Sequence, residues 1–174
     1  MTTSPSNFKN LDKTELPSRQ RRIILDFLIT RMFQIHEILF LITSNFTPPK
    51  KSVIKNFIED LFDEIACGPL CYLIGMYYYQ KFTENLPKEV KEQDDDCDFD
   101  SYYKYVYITC LILSSKVWED RFAGNIDFYN CFKLEDEIDI SMINYLEVLI
   151  MKNFDFRFHI PEEDFYQFLK KNKI

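Results

Sequence analysis

The sequence predicts an all-α protein that forms one domain. Apolar residues recur at three- and four-residue steps over most of the chain, the spacing that places them on one face of a helix. No region alternates apolar and polar residues for long enough to be a strand, and there is no internal repeat. With 174 residues, 47% of them hydrophobic, the chain has the size of one ordinary domain with one core.

The N-terminal part divides into a tail and a long helix. Residues 1–17 contain Ser, Thr, Asn and two prolines without periodicity, which predicts a flexible tail. A helix is predicted over 18–46, with Ser18 as its N-cap. The apolar residues predicted to share one face of this helix are Ile24, Phe27, Leu28, Ile35, Ile38, Leu39 and Ile42.

Two more helices are predicted before residue 85. The first is amphipathic, follows Pro48 and Pro49 and is ended by Gly68-Pro69. Its apolar positions are Val53, Ile54, Phe57, Ile58, Leu61, Phe62 and Ile65. The second helix, over 70–82, is apolar on nearly every side, which is typical of a helix packed among others.

The second half of the chain begins with an acidic stretch, 84–100, which predicts a surface loop. A helix over 102–116, capped by Asp100 or Ser101, has apolar residues all round and is predicted to be the central element. Three more helices are predicted: one at 125–129, one from the N-cap Asp139 to 153, and one that Pro161 opens and that packs through Phe165, Phe168 and Leu169.

Composition bears on the kind of partner. The net charge of −7 argues against nucleic-acid binding, which needs clustered excess Lys and Arg, so a protein partner is expected. The longest apolar runs, 35–42 and 70–79, are too short to cross a bilayer, which takes about 20 apolar residues. The odd number of cysteines predicts reduced thiols in an intracellular protein of the cytoplasm, the nucleus or both. These cysteines are Cys67, Cys71, Cys97, Cys110 and Cys131.

Three motifs carry a resemblance to a known family. They are L-I-L-S-S-K-V-W-E-D at 111–120, N-I-D-F at 125–128, and the pattern N-x-L-E-x-x-I-M-x-x-F-x-F-x-F at 144–158. Together they resemble the cyclin box, most of all that of the cyclin Y and P-type cyclins, and the resemblance covers about residues 50–170. Cyclins usually have Ala where this chain has Ser114, a small-for-small exchange.

The resemblance implies a fold and a function. The fold would be a five-helix cyclin box around a central helix, at 47–172 with the acidic loop 84–100 inside it, an extra N-terminal helix and a short C-terminal helix. The function would be that of a non-catalytic regulatory subunit. It would form a heterodimer with a cyclin-dependent kinase and activate the kinase by stabilising its C helix.

The resemblance also implies kinase-binding residues. A lysine and a glutamate of the family hold each other and the end of the kinase C helix, and by motif these are Lys116 and Glu147. Their separation of thirty-one residues is slightly longer than usual in cyclins, and an alignment without the insertion puts Tyr145 in place of Glu147. The apolar residues at positions that face the kinase are Leu113, Val117, Met151, Phe156 and Phe158. As a set they predict an exposed apolar patch.

Other chemistries find little support in the residues. The acidic run 94–100 lacks the glycine and the final glutamate of an EF-hand loop, and no His or second Cys pair completes a zinc site with Cys67 and Cys71. Only His36 and His159 are available as imidazole bases, and there is no P-loop. We therefore expect no enzyme, no metal and no cofactor. The alternative to a kinase regulator is a helical adaptor with a cyclin-like fold that binds a non-kinase partner.

Overall fold

The computed structural model describes residues 18–43, 48–65, 67–85, 99–119, 125, 129 and 139–174. Over these ranges the all-α prediction is confirmed, because six helices and no strand are present in them. The helices are α1 (Ser18–Thr43), α2 (Lys51–Glu64), α3 (Pro69–Glu84), α4 (Phe99–Trp118), α5 (Ile140–Asn153) and α6 (Glu162–Lys171). The tail 1–17 and most of the predicted loop and short helix, 86–98 and 126–128, lie outside the described residues.

Several helix ends differ from the prediction. Gly68 is the N-cap of α3 and Pro69 its first residue, so this pair begins α3, whereas α2 already ends at Glu64. Helix α4 begins at Phe99, which places Asp100 and Ser101 inside the helix, and the predicted cap is wrong. The N-cap Asp139 is confirmed, since its carboxylate accepts a hydrogen bond of 2.8 Å from the Ser141 amide.

Helix α4 is the central element, and small residues let it approach α3 closely. A Cβ atom on Gly75 would lie 3.2 Å from the Leu111 Cα atom, so the two backbones are nearly in contact there. One turn further on, the buried Ser114 hydroxyl donates to the Cys71 carbonyl at 2.9 Å and to the Leu111 carbonyl at 2.8 Å. The exchange of the usual Ala for Ser114 is therefore accommodated by hydrogen bonds that satisfy the added hydroxyl.

Helix α1 packs across the bundle through an apolar stripe with a polar residue in it. His36 is fully buried, bonds the Tyr79 hydroxyl through Nε2 at 2.6 Å, and lies edge-on to Tyr103 with ring centroids 4.6 Å apart. Burial lowers the pKa of His36 to about 4. Ile38, like Val53 on α2, is exposed because it lies at the edge of its helix's buried face or beyond it.

The short helix α6 closes the bundle by packing on α1 and α3, as the C-terminal apolar pattern predicts. The Phe168 ring is buried edge-on between Phe27 and Tyr77, with centroids 5.8 and 5.3 Å away. Its partly buried neighbours Phe165 and Leu169 pack against the same core. Helix α6 therefore fixes the polypeptide that follows α5.

The core also contains buried cysteine thiols. Cys71 and Cys110 are buried free thiols, and burial raises the pKa of both well above the ordinary value, which keeps them protonated. In the described part of the chain no helix has the length and apolarity needed to cross a membrane. Cys97, Cys131 and the acidic run 94–98 lie outside the described residues.

Candidate functional site

Lys116 in the last turn of α4 and Glu147 in the middle of α5 meet, as the resemblance implies. The Lys116 Nζ atom lies 2.5 Å from Glu147 Oε1, and the side chains are only 28% and 14% exposed. Tyr145, the alternative to Glu147, is two residues away and therefore on a different side of α5, where it is exposed. The geometry thus selects Glu147 as the partner of the lysine.

Two asparagines complete this pair into a network. The Asn125 side chain accepts a hydrogen bond from Lys116 Nζ at 2.9 Å and donates to Glu147 Oε2 and to Asn144 Oδ1, both at 2.7 Å. Both residues lie in the quoted motifs, yet sequence reasoning gave them no role. The spacing of Asn144, one turn before Glu147 on the same face of α5, was the available signal.

The network leaves hydrogen-bonding capacity for a partner. A lysine ammonium carries three N–H donors. Among the described residues, Lys116 uses two of them, on Glu147 and Asn125. One N–H is therefore left at a partly exposed position, with the carboxylate beside it. The arrangement can bind a backbone carbonyl and a backbone amide that approach together.

Other residues of the 111–120 motif join the end of α4 to α3. The Glu119 carboxylate accepts from the Gly68 amide at 2.6 Å and from the Ser115 hydroxyl at 2.8 Å, which places a negative charge at the N-terminus of α3. Trp118 Nε1 donates to the Tyr78 hydroxyl at 2.9 Å, and that hydroxyl donates to the Phe158 carbonyl at 2.6 Å. The segment after α5 is held to the same point.

The C-terminus of α5 has a Schellman motif built without glycine. The Phe156 amide bonds the Met151 carbonyl at 2.8 Å and the Asp155 amide bonds the Lys152 carbonyl at 3.0 Å. Asp155 and Phe156 have φ values of 49° and 57°, in the left-handed region that a bulky aromatic residue rarely adopts. This motif brings Phe156 over the turn that carries Met151 and leaves its ring 66% exposed.

The predicted apolar contact residues fall into three groups by exposure. Val117 and Phe156 are exposed, at 47% and 66%, and Met151 and Phe158 are partly buried. Leu113 is only 3% exposed, so it belongs to the core and not to an exposed patch, because α4 is enclosed on nearly all sides at that level. We call Val117, Met151, Phe156 and Phe158 the apolar shoulder.

Sequence reasoning missed one candidate for this surface. Val148 is exposed, and it lies one turn before Met151 on the same side of α5. Phe158, in contrast, is anchored: its ring lies 5.3 Å from Tyr78 and is stacked on Phe154 at 5.4 Å. Rigid aromatic support of this kind presents a surface with little conformational entropy left to lose on binding.

The described residues offer no metal centre, since they contain no group of three or more His, Cys, Asp or Glu side chains placed to hold an ion.

A family model described as the cyclin N-terminal domain matches residues 31–159, a span that begins inside α1 and ends after the F-x-F-x-F segment. No solved structure matches the chain. Because the match covers well over half of the sequence and contains the whole Lys116 network and the apolar shoulder, the chain belongs to the cyclin family and has a single cyclin box.

Proposed function

We propose that this cyclin is a regulatory subunit that binds a cyclin-dependent kinase and stabilises the active position of the kinase C helix. Membership in the cyclin family supports the regulatory role. In the proposed complex, catalytic residues, ATP and magnesium would belong to the kinase. The observation that carries the proposal is the paired Lys116 and Glu147 with donor capacity left. We further propose that it is most similar to the cyclin Y and P-type cyclins, because of the motifs at 111–120 and 144–158.

The burial of the pair supports a binding role over a surface salt bridge. Exposed ion pairs contribute about 0–1 kcal/mol, and their partners are free to move in solvent. Lys116 and Glu147 are mostly buried already, and both carboxylate oxygens are bonded. A partner that covers them completes the desolvation of charges that remain hydrogen-bonded, which makes the approach geometry specific.

Binding at this surface would shift the kinase between two states. A subunit that binds the active arrangement of the C helix better than the inactive one increases the active population by that difference in affinity. The apolar shoulder would supply buried area around the charged pair, and an interface of standard size needs roughly 800 Å² from each partner. The charged pair would fix the register of the kinase helix within that area.

The test is binding and activation of a candidate kinase by charge-reversal variants. We expect Lys116→Glu and Glu147→Lys each to weaken binding by about 2–5 kcal/mol, because each strands a charge in the interface. The matched controls are Lys55→Glu and Glu59→Lys, which break an exposed ion pair of 3.8 Å on α2. These should bind and activate as the unchanged protein does.

A double variant separates an interface role from a structural one. Lys116→Glu/Glu147→Lys restores the intramolecular ion pair but reverses the polarity presented to the partner. If the pair only stabilises the fold, the double variant regains binding. We expect stability to recover and binding to stay lost. Unchanged kinase activation by both single variants would overturn the proposal. If a partner that is not a kinase co-purified with the unchanged protein and was lost from the single variants, the adaptor alternative would be favoured.

A further inference from the structure

A second surface feature lies away from the Lys116 network. A cleft of about 230 Å³ opens where the C-terminal ends of α3 and α5 meet the non-helical segment after α5. The aromatic rings of Tyr77, Tyr78 and Phe154 form part of its wall, and these are buried or partly buried. Such a site is concave, has an apolar wall and is preformed, as small-ligand sites usually are.

Among the described residues, the charged side chains that line this cleft are cations, whereas the protein carries a net charge of −7. These cations are Lys81 and Arg157; His159 also lines the cleft, and no described carboxylate does. Lys81 has a carboxylate near it, with Nζ 3.4 Å from Glu84 Oε2. Arg157 is exposed and forms no ion pair with any residue that the structure describes. An unpaired guanidinium in a concave site is a strong recognition group for an oxyanion.

The helix dipoles account for only one of the cations that line this cleft. Lys81 lies in the last turn of α3, where a cation is favoured by the helix dipole. Arg157 and His159 lie beyond the end of α5, in a segment without regular secondary structure. Two carbonyls near these helix ends are already bonded, since Asn85 Nδ2 donates to the Lys81 carbonyl at 3.1 Å and Asn153 Nδ2 donates to the Asn85 carbonyl at 3.0 Å. These bonds reduce the repulsion that an anion would meet at the helix ends.

We propose that this cleft binds a phosphate monoester, the phosphoserine or phosphothreonine side chain of a partner protein. The Arg157 guanidinium would bind two phosphate oxygens, Lys81 would add a point charge and the His159 imidazole a further donor. The volume of the cleft exceeds that of a carboxylate, and the two cationic groups Lys81 and Arg157 match a dianion better than a monoanion. Binding here requires no kinase, so its failure and that of the kinase proposal are independent.

The test uses a fluorescent peptide of glycine and alanine with one central phosphoserine, its unphosphorylated twin, and inorganic phosphate as competitor. The protein should bind the phosphorylated peptide and not the twin, as measured by fluorescence anisotropy at fixed salt. Arg157→Glu should weaken binding by about tenfold or more. The affinity of Arg157→Lys should fall between those of the unchanged protein and Arg157→Glu, because lysine keeps the charge but loses the bidentate geometry. Far-UV circular dichroism confirms that each variant is folded.

The matched control is Lys51→Glu, the same change of charge at an exposed position at the start of α2. It should leave the affinity within about twofold, because a distant surface charge is screened by salt. Equal losses in Lys51→Glu and Arg157→Glu, equal binding of the unphosphorylated peptide, or no binding of the phosphopeptide would each overturn the proposal. If the protein bound inorganic phosphate but not the phosphopeptide, the cleft would be a site for a free anion, and the proposal of a protein partner would be overturned.

Discussion

Helix α4 changes character within one turn, and the comparison of its two regions separates folding from binding. Up to Ser115 it is enclosed, with Leu113 3% exposed and packed in the core. Val117, four residues after Leu113, is 47% exposed although it lies on nearly the same side of the helix as Leu113. The difference arises because neighbouring helices enclose the body of α4, whereas at its end Lys116 still contacts α5 and Trp118 still contacts α3 but Val117 is left uncovered. Substitution of Leu113 should therefore reduce stability, and substitution of Val117 should reduce binding.

The largest expected effect comes from Leu113→Ala. Truncation of this buried side chain leaves a cavity and should lower the free energy of unfolding by about 2–5 kcal/mol. Val117→Ala on the same helix should change it by less than about 0.5 kcal/mol, since the side chain is half exposed. Urea denaturation of the two variants measures both. If Leu113→Ala were as stable as Val117→Ala, the enclosed and open regions of α4 would not be distinct.

A second substitution tests the close approach that makes the body of α4 rigid. In Gly75→Val, the new side chain would meet the backbone of Leu111, because even a Cβ atom would lie 3.2 Å from the Leu111 Cα atom. We expect a loss of about 1–3 kcal/mol in unfolding free energy from overpacking. Gly75→Ala should cost less, since the higher helix propensity of Ala offsets part of the crowding. Thermal and urea denaturation measure this order, and equal stability of all three proteins would contradict it.

The enclosed region also predicts a dependence of stability on pH. Burial lowers the pKa of His36 from 6.5 to about 4, so the unfolded state binds the proton more tightly than the folded state does. The contribution of neutral His36 is complete above pH 6.5 and is lost as the pH falls towards 4. The unfolding free energy should therefore be about 2 kcal/mol lower at pH 5 than at pH 7 from this residue alone.

The control for this pH effect is His36→Gln, which keeps a polar side chain beside the Tyr79 hydroxyl. Carboxylates that titrate in the same range contribute equally to both proteins. The difference between the two stability profiles therefore isolates the histidine. Parallel profiles from pH 7 to pH 5 would show that His36 is not held neutral by the fold.

Local patterns predicted the helices better than the surfaces between them. The N-cap Asp139 and the packing of α6 through Phe168 follow from short-range signals, and both are confirmed. The apolar pattern of α4 predicted a central helix, which agrees with the burial of Leu113, whereas its place in an exposed patch came from the resemblance alone, and Leu113 is not exposed. The meeting of Lys116 and Glu147 depends on contacts between helices, so only the resemblance to cyclins predicted it.

The site also contains features that no sequence signal announced. Asn125 belongs to the network although it is nine residues from Lys116 and twenty-two from Glu147 in the sequence. At such separations, residue spacing alone does not predict a contact. The left-handed Phe156 was unexpected because glycine usually occupies such positions. Strain at an exposed aromatic residue is energetically unfavourable for the isolated protein. Such strain persists where the surrounding hydrogen bonds hold it, as the Schellman motif does here.

The most discriminating variant is one whose small expected change in stability has the opposite sign to its effect on binding. Phe156→Gly should raise the free energy of unfolding by about 0.5–1 kcal/mol, since glycine adopts the left-handed conformation without strain. This figure is the net gain, because the greater entropy of glycine in the unfolded state offsets part of the relieved strain. The same variant should bind the kinase more weakly, because the exposed ring of the apolar shoulder is lost. Phe156→Ala separates the two effects, since it removes the ring but keeps a side chain at a φ of 57°. Calorimetry for stability and a kinase-binding assay should therefore show weakened binding in both variants and a gain in stability only in the glycine variant. Undiminished binding by both would remove Phe156 from the proposed interface and leave its conformation without a role in recognition.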